Sequence, residues 1–146
     1  MPKFPSVEWF EAVSRVASED REKFRLLGYV DADVGIKIGG NGSGSKSFLL
    51  KFRDYAVWSV TEVNSVQSAD FSIEGSLEAW TEMVRNIQEH GEADLDHTLN
   101  RLTMASVPLK VVARDQLKTD VFYRFNQSFQ VFFNKAAAVP TEFAAS

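Results

Sequence analysis

The chain has no cysteine, which removes disulfides, thiolate nucleophiles and cysteine-ligated zinc together. Histidine is nearly as scarce, with His90 and His97 the only two. Long apolar runs are missing as well, none approaching the ~20 residues a membrane span needs. The N-terminus Met1-Pro2-Lys3-Phe4-Pro5 leads into an amphipathic segment with Glu8 and Glu11, not an apolar h-region, so no signal peptide is expected. Positive charge is also in deficit. The formal net charge is -4 and the sequence pI is about 5.2. Lys and Arg stand singly among acids, without the basic stripe that neutralises nucleic-acid phosphates. These absences predict a soluble, cytoplasmic protein with no nucleic-acid partner and no stable membrane insertion.

What is present fits one domain. The 146 residues match the roughly 100–200 expected of a single unit, and no internal repeat or interdomain linker interrupts them. We place the domain at 4–136 and expect 137–146 to be a frayed tail. The aromatic supply is the unusual feature: twelve Phe and three Trp, with Phe gathered near the C-terminus. Such side chains can fill a core or wall a cavity.

The apolar spacing changes period along the chain. Val7, Phe10, Val13 and Ala17 follow a Ser6 cap at helical spacing, and a short second helix runs through Phe24, Leu26 and Leu27 to Gly28. Val34, Ile36 and Ile38 then alternate as in a strand. A glycine-rich turn over 39–45 leads to Phe48, Leu50 and Phe52. Asp54-Tyr55 reads as a tight reversal before Trp58 and Val60, and Phe71 and Ile73 supply a fourth strand. Four strands joined in succession predict an antiparallel meander. Ser76 caps an amphipathic helix carrying Leu77, Trp80, Met83, Val84 and Ile87, which Gly91 ends. Asp94 is expected to start a short helix with Leu95, Leu99 and Leu102. Leu109–Ala113 reads as a strand, and a last helix over 119–136 carries Val121, Phe122, Phe125, Phe129, Phe132 and Phe133.

Motifs that would carry chemistry do not assemble. In Gly44-Ser45-Lys46-Ser47 the lysine comes one position late for a P-loop, and a strand follows where phosphate binding needs a helix N-terminus. His90 and His97 are seven apart with Gly91 between them, unlike the i, i+4 pair of helical zinc sites, so they are expected to form a polar interhelical corner. No serine sits in a nucleophile elbow. The pairs Asp31/Asp33 and Asp94/Asp96 flank element starts, where acids are common. No catalytic residue, metal or cofactor is expected. Periodicity does not distinguish a filled interior from a hollow one.

Three segments resemble the sterol carrier protein 2 family of lipid-binding domains. They are the strand block Val34–Gly39, Phe48–Asp54 and Trp58–Val60, the segment Ala69–Trp80, and Pro108–Asp115, where Ala113-Arg114 replaces a glycine common in the family. The resemblance implies an α+β fold: a mostly antiparallel five-stranded sheet covered by helices, with an apolar tunnel between sheet and helices. It further implies a non-catalytic carrier of a lipid or other elongated apolar small molecule. The implied wall is Trp80, Met83, Val84 and Ile87, then Leu99 and Leu102, then Phe122, Phe125 and Phe129. The implied floor is Phe52, Trp58, Val60, Phe71 and Ile73. Two alternatives stay open: a cone-shaped α+β enzyme acting on an apolar substrate, and an interaction subunit docking through its apolar helix faces. A homodimer is compatible with any of these readings.

Overall fold

Four helices start where a short oxygen-bearing side chain stands just ahead of an apolar stripe. Ser6 Oγ accepts from Trp9 N at 3.1 Å, Ser76 Oγ from Ala79 N at 3.0 Å, Thr98 Oγ1 from Arg101 N at 3.2 Å and Asp115 Oδ1 from Lys118 N at 3.0 Å. Each cap satisfies a backbone donor that the first helical turn leaves without a partner. The computed structural model describes residues 1–28, 30–40, 44–53, 56–105 and 108–144, and the side chains of all of these except 40 and 56–58.

The elements run β1 (Lys3–Phe4), α1 (Val7–Ser18), α2 (Arg21–Leu27), β2 (Ala32–Gly40), β3 (Gly44–Arg53), β4 (Ala56–Val63), β5 (Phe71–Ser76), α3 (Leu77–His90), α4 (Leu99–Thr103), β6 (Leu109–Ala113), α5 (Gln116–Asn134), a 3-10 turn (Lys135–Ala138) and β7 (Glu142–Phe143). The fold is α+β, and its main sheet has five strands in the order β4-β3-β2-β5-β6. Alternation along the strands turns Val34, Ile36, Ile38, Phe48, Leu50, Phe52, Phe71 and Ile73 to the face that the helices cover, and all are buried. None of the described helices is long and apolar enough to cross a membrane.

The expected meander holds only as far as β4. β5 pairs with β2, not with β4, and runs parallel to it, with Val34 opposite Phe71 and Ile36 opposite Ile73. The segment between β4 and β5 crosses the helix-free face of the sheet, with Val66 seated on Gly35. A Cβ at position 35 would lie 2.7 Å from Val66 Cβ, so the crossing needs a residue without a side chain there. The reversal expected at Asp54-Tyr55 and residues 41–43 of the glycine-rich turn lie outside the described residues.

Three further boundaries differ from expectation. Asp94 does not start a helix, because its side chain is engaged by Asn86, His97 and the Asp96 N–H. The helix starts instead at Leu99, capped by Thr98, and Leu95 is exposed. The last helix begins three residues early, at Gln116, and is broken at Phe125, where φ is -115° and ψ 19°. The segment expected to fray is tied down as far as 144. Glu142 and Phe143 pair in parallel with Lys3 and Phe4, Trp9 Nε1 donates to Thr141 Oγ1 at 3.0 Å, and Val139 is buried.

Candidate functional site

The interior between the sheet and α3, α4 and α5 is the candidate site. From α3, Trp80, Met83, Val84 and Ile87 point inward, from α4 Leu99 and Leu102, and from α5 Phe122 and Phe129, all buried. Phe52, Phe71 and Ile73 meet them from the sheet. The structure therefore brings eleven of the fourteen expected residues into one apolar cluster. Val60 and Phe125 are only partly buried and pack at its edge. The side chain of Trp58 lies outside the described residues.

Aromatic rings occupy the centre. Phe52 meets Phe129 at a centroid distance of 5.1 Å and Phe132 at 5.5 Å. Phe71 meets Phe129 at 5.4 Å and Phe122 at 5.7 Å, both edge to face. Phe122 and Phe129 lie parallel, 6.1 Å apart. Edge-to-face pairs of this kind add about 0.5–1.5 kcal/mol beyond simple burial. The rings of Phe52, Phe71, Phe122, Phe129 and Phe132 pack against one another in this interior.

The cluster extends beyond the expected residues. Trp80 packs on Phe133 at 5.6 Å, and Phe10 of α1 lies 5.0 Å from Phe48 and 6.4 Å from Phe133. The alternation that singles out Phe52 also contains Phe48, and the stripe that contains Phe129 also contains Phe133. Nothing in that spacing tells which end of the sheet α1 covers.

Polar groups frame this interior. Trp80 Nε1 donates to the Lys37 carbonyl of β2 at 3.2 Å, which sets the height of α3 above the sheet. At the other end Asp70 accepts from the Asp33 N–H at 2.8 Å and pairs with Lys118 of α5 at 3.1 Å. Burial alone would raise the Asp70 pKa, but the Asp33 N–H, Lys118 and Arg53 outweigh it and hold it below the usual carboxylate range. Arg53 bonds Asp33 at 2.7 Å and Asp31 at 3.2 Å, and the Asp33 hydrogen bond raises its pKa further.

Of the two histidines only His97 sits in the expected polar corner between α3 and α4; His90 is exposed at the end of α3, with its Nδ1 3.0 Å from the Asn86 carbonyl of its own helix. His97 Nδ1 lies 2.7 Å from Asp94 Oδ1 and its Nε2 3.6 Å from Glu82 Oε1. The bond to Asp94 raises the His97 pKa, with Glu82 adding to it, while His97 and then Asn86 pull Asp94 down to about 2. This corner walls a surface cleft of about 570 Å³ on the outer side of α3, which also includes Glu78, Arg85 and Glu89. A second cleft, of about 440 Å³, lies on the helix-free side of the sheet between Val66, Ser72, Val112 and Arg114. Among the described residues no group of three or more His, Asp or Glu side chains is placed to hold a metal ion.

No protein-family model matches the sequence, and no curated protein matches it. The fold does have solved counterparts. It is similar to a crystal structure of sterol carrier protein 2, with a TM-score of 0.73 and 15% identity over 94% of this chain and 100% of the other. A conserved hypothetical protein from Thermus thermophilus, put forward as a sterol carrier protein, matches with a TM-score of 0.69 and 15% identity over 97% and 93% of the two chains. The apo form of sterol carrier protein 2 from Yarrowia lipolytica matches with a TM-score of 0.53 and 18% identity over 83% and 96%. At these identities the likeness establishes a shared fold.

Proposed function

We propose that this chain binds an elongated apolar molecule, a lipid or an acyl chain, between the sheet and helices α3, α4 and α5, and carries or presents it without chemistry. The observation that carries this reading is the continuous apolar interior built from Trp80, Met83, Leu99, Phe122, Phe129 and Phe71 in a fold shared with sterol carrier protein 2 structures. Each CH₂ a guest buries there is worth about 0.8 kcal/mol, so a medium-length chain reaches micromolar affinity without an ionic contact. A guest lying among these rings would separate Phe122 and Phe129 from Phe71 and Phe52. The break at Phe125, which divides α5 between Phe122 and Phe129, lets the two rings move separately. Met83, unbranched and flexible, adapts the α3 wall to different shapes.

The test is native mass spectrometry of the purified protein for a co-purified lipid, together with titration by the apolar dye diphenylhexatriene. A retained lipid, or saturable dye binding that a fatty acid displaces, is expected. A folded sample that retains no lipid and binds neither dye nor fatty acid overturns the reading.

A further inference from the structure

Trp80, Met83, Phe122 and Phe71 are buried from water, so a guest reaches them only when an element that covers them moves. The covering helices are held down by different means. α3 hangs from the sheet through Trp80, and Gln88 Nε2 ties it to the Val139 carbonyl and Thr141 Oγ1, both at 2.9 Å. α5 presses Phe122, Phe129, Phe132 and Phe133 into the core along its 19 residues. α4 has five residues and contributes only Leu99 and Leu102 as large buried apolar side chains. It lies against α5 and the edge strand β6, and so covers the interior on that side of the sheet.

The segment 91–104 that carries α4 is secured mainly by amide side chains of its neighbours. Asn86 of α3 donates to Asp94 Oδ2 at 2.8 Å and accepts from Asp94 N at 2.9 Å. From α5, Asn134 Oδ1 accepts from Ala93 N at 3.1 Å and Gln130 Oε1 from Leu99 N at 2.6 Å, and Gln130 Nε2 braces Asn134 at 2.9 Å. His97 adds its contact to Glu82 of α3. The other two large apolar residues of the segment, Leu95 and Met104, are 88% and 64% exposed and do not help to hold it. Water can replace such hydrogen bonds at small net cost, whereas packed rings have no substitute, and segments with little apolar burial are the ones that open locally. At its start Gly91 has a φ of 84°, and nothing lies within 4 Å of where a Cβ would stand, so the chain can turn there without meeting a neighbour.

We propose that residues 91–104 form a hinged lid, turning at Gly91 and latched by Asn86, Gln130 and Asn134, and that a guest enters between α5 and the β6 edge when α4 lifts away. This rests on the binding reading above and adds the route to that site. The experiment is stopped-flow uptake and release of diphenylhexatriene by the native chain, Gln130→Ala and Asp70→Asn. Gln130→Ala loses the bond to Leu99 N, which favours the open lid about fivefold. Uptake and release should both accelerate by that factor while the equilibrium affinity stays the same, a split that a loss of binding contacts would not produce. Asp70→Asn loosens the opposite end of the interior and should leave both rates as they are. Unchanged rates in Gln130→Ala, equal acceleration in the two variants, or acceleration in Asp70→Asn alone overturns the lid while leaving the binding reading intact. A dye that binds no form defeats the binding reading and the entry route with it. Native-state hydrogen exchange tests the lid without a ligand or a substitution. The amides of Ala93 and Leu99 should exchange by a local opening insensitive to low denaturant, ahead of the β2–β3 ladder. Exchange of these two only with global unfolding overturns the lid.

Discussion

Lys118 Nζ stands 3.1 Å from Asp70 Oδ1, joining the first turns of α5 to the start of β5. The pair closes one end of the apolar interior and holds the segment of α5 that precedes the break at Phe125. Asp70 also receives the Asp33 N–H, so one carboxylate ties together β2, β5 and α5.

Asp70→Asn should therefore lower stability at neutral pH by an amount seen as a Tm drop of roughly 2–6 °C. The Asp70 pKa is held below its ordinary 3.8 in the folded chain. Its contribution is complete above that value and is lost as pH falls through the depressed one. Thermal melts of the two proteins should converge in strong acid. A gap that persists there would assign the effect to lost packing and not to charge.

His97 behaves in the opposite sense. Asp94 and Glu82 raise its pKa above 6.5, so its stabilising contribution is present below that value and fades as pH rises through the raised one. His97→Gln should flatten the stability profile across this window, as followed by urea unfolding at a series of pH values. An unchanged slope would show that the Asp94 contact is equally strong with neutral imidazole.

Phe129 touches Phe52, Phe71 and Phe122, and Phe129→Ala should cost about 3–5 kcal/mol of stability. The same change leaves a void where the guest is proposed to lie. Dye capacity or affinity should rise even as the denaturant midpoint falls. Lost stability with unchanged dye binding would place the ligand elsewhere.

Gly75 faces Leu109 at the junction of β5 and α3. A Cβ there would lie 2.3 Å from Leu109 Cδ2 and 3.2 Å from the Pro108 carbonyl. Gly75→Ala should destabilise by about 1–3 kcal/mol through overpacking. Pairing it with Leu109→Ala should make the combined loss less than the sum of the two singles. Strict additivity in denaturant unfolding would count against this contact.

The amino-acid pattern alone determined the elements and their buried faces. Alternation at Val34, Ile36, Ile38, Phe48, Leu50 and Phe52, and helical spacing at Trp80, Met83, Val84 and Ile87, are local consequences of backbone geometry and survive in the folded chain. What those patterns left open, tertiary structure decided. β5 beside β2 in parallel depends on Val66 finding Gly35 across the sheet, a contact between residues 31 apart in number. The delayed start of α4 follows from Asp94 being taken by Asn86 and His97. The terminal clasp arises because β7 meets β1 from the far end of the chain. Which rings touch is set by how α5 packs over the sheet, since a one-dimensional period specifies which side of a helix is apolar but not what it is pressed against.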